Sequence, residues 1–346
     1  MKGHRPKILM AFDRQVYETY VGAKDLERLR DVGDVTWEED FLKVESLQEA
    51  LRDAEGLIVC HGAPRLTEGL MAGAERLRIV GELEGDRFAE RIDVEGAVRR
   101  GIRVVDTTNG SSYPVSEWAL ALMLVALRNA GEHFRRLIAG EDYRRSKDDR
   151  GYLDGELTGK RVGLIGCGHV GRRLIELLRP FRVEVWVYDP YIPKDIPDIM
   201  GFTLTSLENV LRQSNVVVCC APITPRTRRM IGKRELDMIP AGAALVNVSR
   251  GAIIDPDALI ERLRRGDITA GLDVFDPEPI PADSPIRGLP NVFLSPHIAG
   301  VTQASRTRFF SLMVDEFERF FHGHETLYDL NGRALANRRG EAPPGR

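Results

Sequence analysis

The feature that most restricts this chain is an alternation repeated along nearly its whole length, in which short apolar runs are separated by amphipathic helix-like stretches. The runs "KILMAF" (7–12), "GLIVC" (56–60), "LRIVG" (77–81) and "IRVVDT" (102–107) come first. After a break at "TTNGSSYPVSE" follow "RVGLIG" (161–166), "EVWVYD" (184–189), "VVVCCA" (216–221), "ALVNVS" (244–249), "TAGLDVF" (269–275) and "NVFLSP" (291–296). Such alternation predicts α/β architecture with parallel, doubly wound sheets. At 346 residues the chain is expected to form two domains rather than one core. Four strands belong to the first expected unit and six to the second, the content of a Rossmann unit. The apolar stretch "WALALMLVAL" after the break predicts a helix that another helix or a second subunit must cover.

One glycine run sits where this architecture gives it meaning. Gly166, Gly168 and Gly171 fit G-x-G-x-x-G, directly after the strand "RVGLIG" and at the start of the helix "VGRRLIELLRP". Gly166 is expected to allow the tight turn, Gly168 to let the backbone approach a pyrophosphate, and Gly171 to let helix and strand pack closely. His169 and Val170 would offer N–H groups to that phosphate at the positive end of the helix dipole. Asp189, 18 residues after Gly171, ends the next strand, where a carboxylate holds ribose hydroxyls and repels a 2′-phosphate. NAD is therefore expected over NADP. The same Asp189 also fits the start of the turn "DPYIP".

Three later segments place reactive side chains after strands: Arg250 in "LVNVSRGAIID", Asp273, Asp276 and Glu278 in "GLDVFDPEP", and His297 in "NVFLSPHIAG". Open α/β sheets bind ligands at that end of their strands. Moving a hydride between an alcohol and NAD calls for a proton acceptor, a cation for the acid group and a carboxylate to orient the base. These residue types supply all three.

Together the segments "GLIGCGHVGRR", "APITPRTRRMIG", "LVNVSRGAIID", "GLDVFDPEPIPADSPIRGLPNVFLSPHIAG" and "TTNGSSYPVSE" resemble the D-isomer-specific 2-hydroxyacid dehydrogenase family, from about residue 7 to 330. The resemblance implies two Rossmann-like domains: a discontinuous substrate domain of residues 1–110 plus 301–332, and an inserted NAD-binding domain of residues 111–300. It also implies a cleft that closes on substrate and a homodimer formed through the NAD-binding domain. His297 becomes the acid/base, Glu278 its hydrogen-bonded partner favouring the protonated ring, and Arg250 the fork that holds the substrate carboxylate and carbonyl. Asp276 competes with Glu278 on residue type; spacing from Asp273 favours Glu278. Asp273 is expected at the nicotinamide carboxamide. Further cofactor contacts are implied for Cys220, Ala221, Pro222, Thr227, Val248, Ser249 and Gly300. His61, Glu84, Gly85, Asp86, Arg87 and Asn109 are candidates for reading the substrate.

Two departures from the family pattern stand out. Where relatives carry closely spaced glycines, this chain has "GELEGDRFAERID", with Glu82, Glu84 and Asp86 beside the expected anion site and Arg87 as a compensating cation. Cys220 stands where many relatives have histidine. The acidic loop leaves room for a second reading, an NAD(H)-sensing binding protein of the same fold without significant turnover.

Other classes find little support. A net charge of −3 with 29% charged residues offers no basic excess for nucleic acid. No apolar run is long enough for a membrane span or a signal peptide, so the chain reads as cytoplasmic. The four cysteines form no C-x-x-C pair and the histidines no cluster, so no metal is expected. The Pro/Gly-rich tail 333–346 reads as disordered.

Overall fold

The computed structural model describes residues 4–84, 91–141, 149, 155–300 and 302–342. The chain divides into two compact units, Met1–Ser111 with Val301–Arg338, and Ser112–Gly300 with Arg339–Arg346.

The first unit is a five-stranded parallel sheet of β1 (Lys7–Ala11), β2 (Asp34–Trp37), β3 (Gly56–Val59), β4 (Ile79–Glu82) and β5 (Arg103–Asp106), in the order β2-β1-β3-β4-β5. Its side chains alternate between two cores, as the period of two requires. Leu9, Leu57, Val59, Val80 and Val104 face one side and pack with Leu47, Leu51, Leu70 and Ala97 from short helices. Ile8, Met10, Ile58, Ile79 and Val105 face the other and meet Phe309, Phe310, Met313, Val314 and Phe317 of the helix Gln303–Phe321. Phe310 and Phe317 are fully buried, each worth about 1.5–3 kcal/mol by area. That helix lies so close to β4 that a side chain at Gly81 would strike Met313. Residues roughly two hundred to three hundred positions apart thus share one core.

The fifth strand, β2, was not among the expected runs. "DVTW" has no fully buried residue and lies at the sheet edge, visible only through its pairing of Lys7 with Asp34 and Met10 with Trp37.

The second unit holds a seven-stranded parallel sheet: β6 (Arg161–Ile165), β7 (Glu184–Tyr188), β8 (Thr203–Leu204), β9 (Val216–Cys219), β10 (Ala244–Asn247), β11 (Thr269–Leu272) and β12 (Val292–Leu294). The order is β12-β11-β10-β9-β6-β7-β8, the doubly wound arrangement that reverses direction between β6 and β9. The expected runs supply six of these strands; β8 is only two residues long and adds an edge. The apolar helix Ser112–Leu127 is covered within its own unit, with Ala119, Leu122, Met123 and Ala126 packed on Val162, Val216, Val218, Ala244 and Val246. Exposed apolar side chains appear instead on the next helix, Ala130–Ile138, where Phe134 is 62%, Leu137 55% and Ile138 69% exposed.

The tail corrects one expectation. Of the segment expected to be disordered, 333–346, the part within Gly332–Arg339 is helical, and residues 343–346 lie outside the described residues. Asn331 Oδ1 accepts from the Ala334 N–H at 3.1 Å, and Ala334 and Leu335 pack against the first core beside Leu330. A short apolar step that shows no period by itself suffices once a core is there to receive it.

Candidate functional site

Every candidate residue of the second unit follows the carboxyl end of a strand, and those strands are neighbours. Across the sheet from β12 to β7 come His297, then Asp273 and Glu278, then Ser249 and Arg250, then Cys220 to Pro222, then the glycine run, then Asp189. Because all the strands are parallel, these loops share one edge of the sheet.

The glycine loop has three different local requirements. Gly166 has φ +92°, and a Cβ there would lie 2.7 Å from the backbone of Ala221. A Cβ at Gly171 would lie 2.8 Å from the Gly166 carbonyl oxygen. At Gly168 a Cβ would meet nothing within 4 Å. Gly168 also caps the helix His169–Leu178 without a side-chain hydrogen bond. Open space at the positive end of a helix dipole, framed by backbone, fits the pyrophosphate of a dinucleotide.

Asp189 ties this loop to the next strand. Its Oδ2 accepts from the Cys167 N–H at 2.8 Å and its Oδ1 from the Tyr191 N–H at 2.7 Å. The carboxylate makes the turn of "DPY" and still has a free lone pair on each oxygen, so both readings of Asp189 are chemically compatible. Burial pushes the neighbouring Cys167 thiol up to about 12, and raises Cys220 as well. Thr227 spends its hydroxyl locally, accepting from Thr224 N–H at 2.7 Å and donating to the Pro222 carbonyl at 2.6 Å.

His297 and Glu278 come from different loops and meet: Nδ1 of His297 lies 2.6 Å from Glu278 Oε1. The His297 backbone is left-handed, φ +53°, a conformation that costs a non-glycine residue about 1–2 kcal/mol. Asp273 holds it there. Its Oδ1 accepts from Ser295 Oγ and from the Ile298 N–H at 3.1 Å, and its Oδ2 from the Ala299 N–H at 3.0 Å. Asp273 is fully buried, and its carboxylate braces the histidine loop.

The Arg250 loop is built in a similar way. Asn247, buried at the end of β10, accepts from the Ser249 N–H at 3.1 Å and donates to the Arg250 carbonyl at 3.1 Å. Ser249 Oγ donates to the Ala221 carbonyl. A Cβ at Gly251 would collide with the Phe275 backbone, so the Arg250 loop is seated directly on the segment leading to Glu278. Val248 is buried and Gly300 half-buried.

In the first unit, His61 Nε2 contacts Glu84 Oε2, after β3 and β4, which pair. Burial lowers the His61 pKa and raises that of Glu84, both changes favouring a neutral pair. Cys60 Sγ lies with them, the three ligand-type atoms within 4.8 Å of one another, and burial pushes its thiol up to about 11. Glu82 is paired with Arg91. The two acidic side chains described here are therefore partnered rather than left as bare negative charge. Asn109 donates to the Tyr328 hydroxyl at 3.2 Å. Gly85, Asp86 and Arg87 lie outside the described residues.

Asn247, Ser295 and Trp118, whose Nε1 donates to Ser295 Oγ at 3.0 Å, escaped the sequence reading. Asn247 had a signal, a polar residue inside the apolar run "ALVNVS". Ser295 and Trp118 had none, because they are 177 residues apart and act only through each other. Among the described residues, no helix is long and apolar enough to cross a membrane.

Residues 120–299 match the NAD binding domain of the D-isomer specific 2-hydroxyacid dehydrogenase family. Over 282 residues the chain is 34% identical to a glyoxylate reductase of Aeropyrum pernix, covering 81% of this chain and 83% of that one. Over 297 residues it is 33% identical to a D-3-phosphoglycerate dehydrogenase of Methanocaldococcus jannaschii, covering 85% of this chain but 55% of that longer relative. The fold is shared with D-mandelate dehydrogenase of Rhodotorula graminis, with a TM-score of 0.80 at 22% identity, covering 95% of this chain and 98% of that one. The chain belongs to the D-isomer specific 2-hydroxyacid dehydrogenase family, with NAD as its cofactor.

Proposed function

We propose that the protein interconverts a 2-hydroxy acid and its 2-keto acid, using His297 as acid/base, Glu278 as its orienting partner and Arg250 as the holder of the acid. The observation that carries this reading is the 2.6 Å contact between His297 Nδ1 and Glu278 Oε1, on loops adjacent to that of Arg250. NAD, when held by this site, would supply the hydride chemistry at C2 of the substrate. With Nδ1–H donated to Glu278, the His297 Nε2 is the nitrogen that takes the hydroxyl proton in oxidation and returns it to the carbonyl oxygen in reduction. Arg250 presents N–H donors that hold the carboxylate and draw charge onto the carbonyl oxygen. One of its donors already binds the Ser249 carbonyl at 2.8 Å, which fixes the direction of the fork. Gly166 and Gly171 shape the loop, the open space at Gly168 would receive the pyrophosphate, and Asp189 would hold the ribose and disfavour NADP.

The His61–Glu84 pair, in place of the glycine-rich loop of relatives, favours keeping a second reading: a cofactor-sensing protein with little turnover. A panel of 2-keto acids including glyoxylate, hydroxypyruvate and branched and aromatic members, followed by NADH absorbance with NADPH in parallel, separates the two. Turnover abolished by Arg250→Ala supports the dehydrogenase. NADH binding without turnover on any member overturns it in favour of sensing.

A further inference from the structure

The chain passes between the two units three times, at 111/112, 300/301 and 338/339. The third passage has no part in either sheet. After the helix Gly332–Arg339 the backbone turns at Gly340, φ +69°, a left-handed position that glycine adopts without strain. There it packs on the loop after β9: a Cβ at Gly340 would stand 3.3 Å from Pro225 Cβ and 3.2 Å from Arg226 Cγ. One residue later the Glu341 carbonyl accepts from the Tyr191 hydroxyl at 2.7 Å. Tyr191 lies two residues after Asp189 and donates its backbone N–H to that carboxylate.

These contacts fall on the loops after β9 and β7, and the strand between those two is β6, whose loop carries Gly166, Gly168 and Gly171. The terminal segment therefore joins the two loops that flank the phosphate-binding one. In a doubly wound sheet the adenosine half of a dinucleotide occupies that stretch, its ribose at the carboxylate ending the second strand of the unit. We infer that residues 340–342 form a strap across the adenosine end of the NAD site and belong to the cofactor-binding machinery. This rests on the assignment of Asp189 to the ribose.

A strap with one side-chain hydrogen bond and one glycine seat adds little to the fold but lies across the exit route of the adenosine. It slows release, so its removal acts mainly on the dissociation rate. The side chain that holds it, Tyr191, acts through the strap and is a positioning residue.

The test is NADH binding by fluorescence, at equilibrium and by stopped flow, on the full chain, a chain ending at Arg339, the full chain with Tyr191→Phe, and the shortened chain with Tyr191→Phe. The expected result is NADH release about threefold to tenfold faster in the shortened chain, the scale of one net hydrogen bond. Tyr191→Phe produces a change in the same direction in the full chain and none in the shortened one, a double-mutant signature that a direct tyrosine–cofactor contact would not give. Unchanged or slower release from both the shortened chain and Tyr191→Phe overturns the strap, and Tyr191→Phe decides alone if the shortened chain does not fold. Asp189→Ala in the full chain tests the underlying assignment separately: an unaltered NAD/NADP preference there removes the ribose contact whatever the strap does.

Discussion

His297 Nδ1 lies 2.6 Å from Glu278 Oε1, 19 residues away on the loop after the neighbouring strand. With Nδ1–H donated to Glu278, the ring is held in one orientation and Nε2 is turned away from that contact. Glu278→Gln keeps the size of the side chain but can present an amide N–H to Nδ1. Steady-state kinetics are expected to show kcat lowered about 10²-fold or more, by analogy with the loss of other orienting carboxylates, with NADH affinity little changed. His297→Ala should abolish turnover and leave NADH binding nearly unchanged; equal loss of both would contradict its role.

The glycines of the phosphate loop should separate stability from binding. Gly168→Val meets open space and a φ of −75°, so the melting temperature should hold while NADH affinity falls sharply. Gly166→Ala instead places a Cβ 2.7 Å from the Ala221 backbone at φ +92°. Denaturant unfolding should show a loss of about 2 kcal/mol or more. Retained NADH affinity in Gly168→Val would remove that position from the cofactor cradle.

The exposed Phe134, Leu137 and Ile138 suggest where a second copy docks. Large apolar side chains exposed together on one short helix are the kind of surface that an assembly buries, so the expected homodimer is tested there. Phe134→Asp is expected to convert a dimer to a monomer by light scattering, with the monomer still able to bind NADH. A monomeric wild-type chain at micromolar concentration would rule out this interface.

Glu316 is fully buried, and its carboxylate accepts from the Leu327 N–H at 2.9 Å and the Tyr328 N–H at 2.8 Å. Burial raises its pKa despite these bonds. A carboxyl raised in the folded state favours folding most when protonated, and that contribution is lost as pH rises through the raised pKa. The unfolding free energy of wild type relative to Glu316→Gln should therefore fall as pH is raised from below the ordinary glutamate range toward neutrality. Glu316→Ala should lose about 1–3 kcal/mol at low pH and less toward neutrality, because the Leu327 and Tyr328 N–H groups lose their acceptor. A pH-independent difference for Glu316→Gln would show that the carboxyl titrates normally.

Much of this protein was legible in its sequence because the signals were local. Period-two apolar runs between amphipathic stretches predicted parallel sheets, and a glycine run between a strand and a helix marked the phosphate loop, since both depend on neighbours within about ten residues. Edge strand β2 was not legible, because "DVTW" is a strand only by virtue of β1 beside it. Nor was the terminal helix, which exists where Ala334 and Leu335 find a core. The family pattern suggested roles for Arg250, Glu278 and His297, but only the order β12-β11-β10 places their loops side by side. Tertiary structure also added contacts that no local pattern carries: Asp273 anchors the histidine loop, His61 meets Glu84, and Asn247 braces Arg250. Local patterning was enough to say which segments could be strands, turns and helices. Which side chains met across them was decided by sheet order and burial, because a hydrogen bond between distant residues has no trace in the local pattern of either.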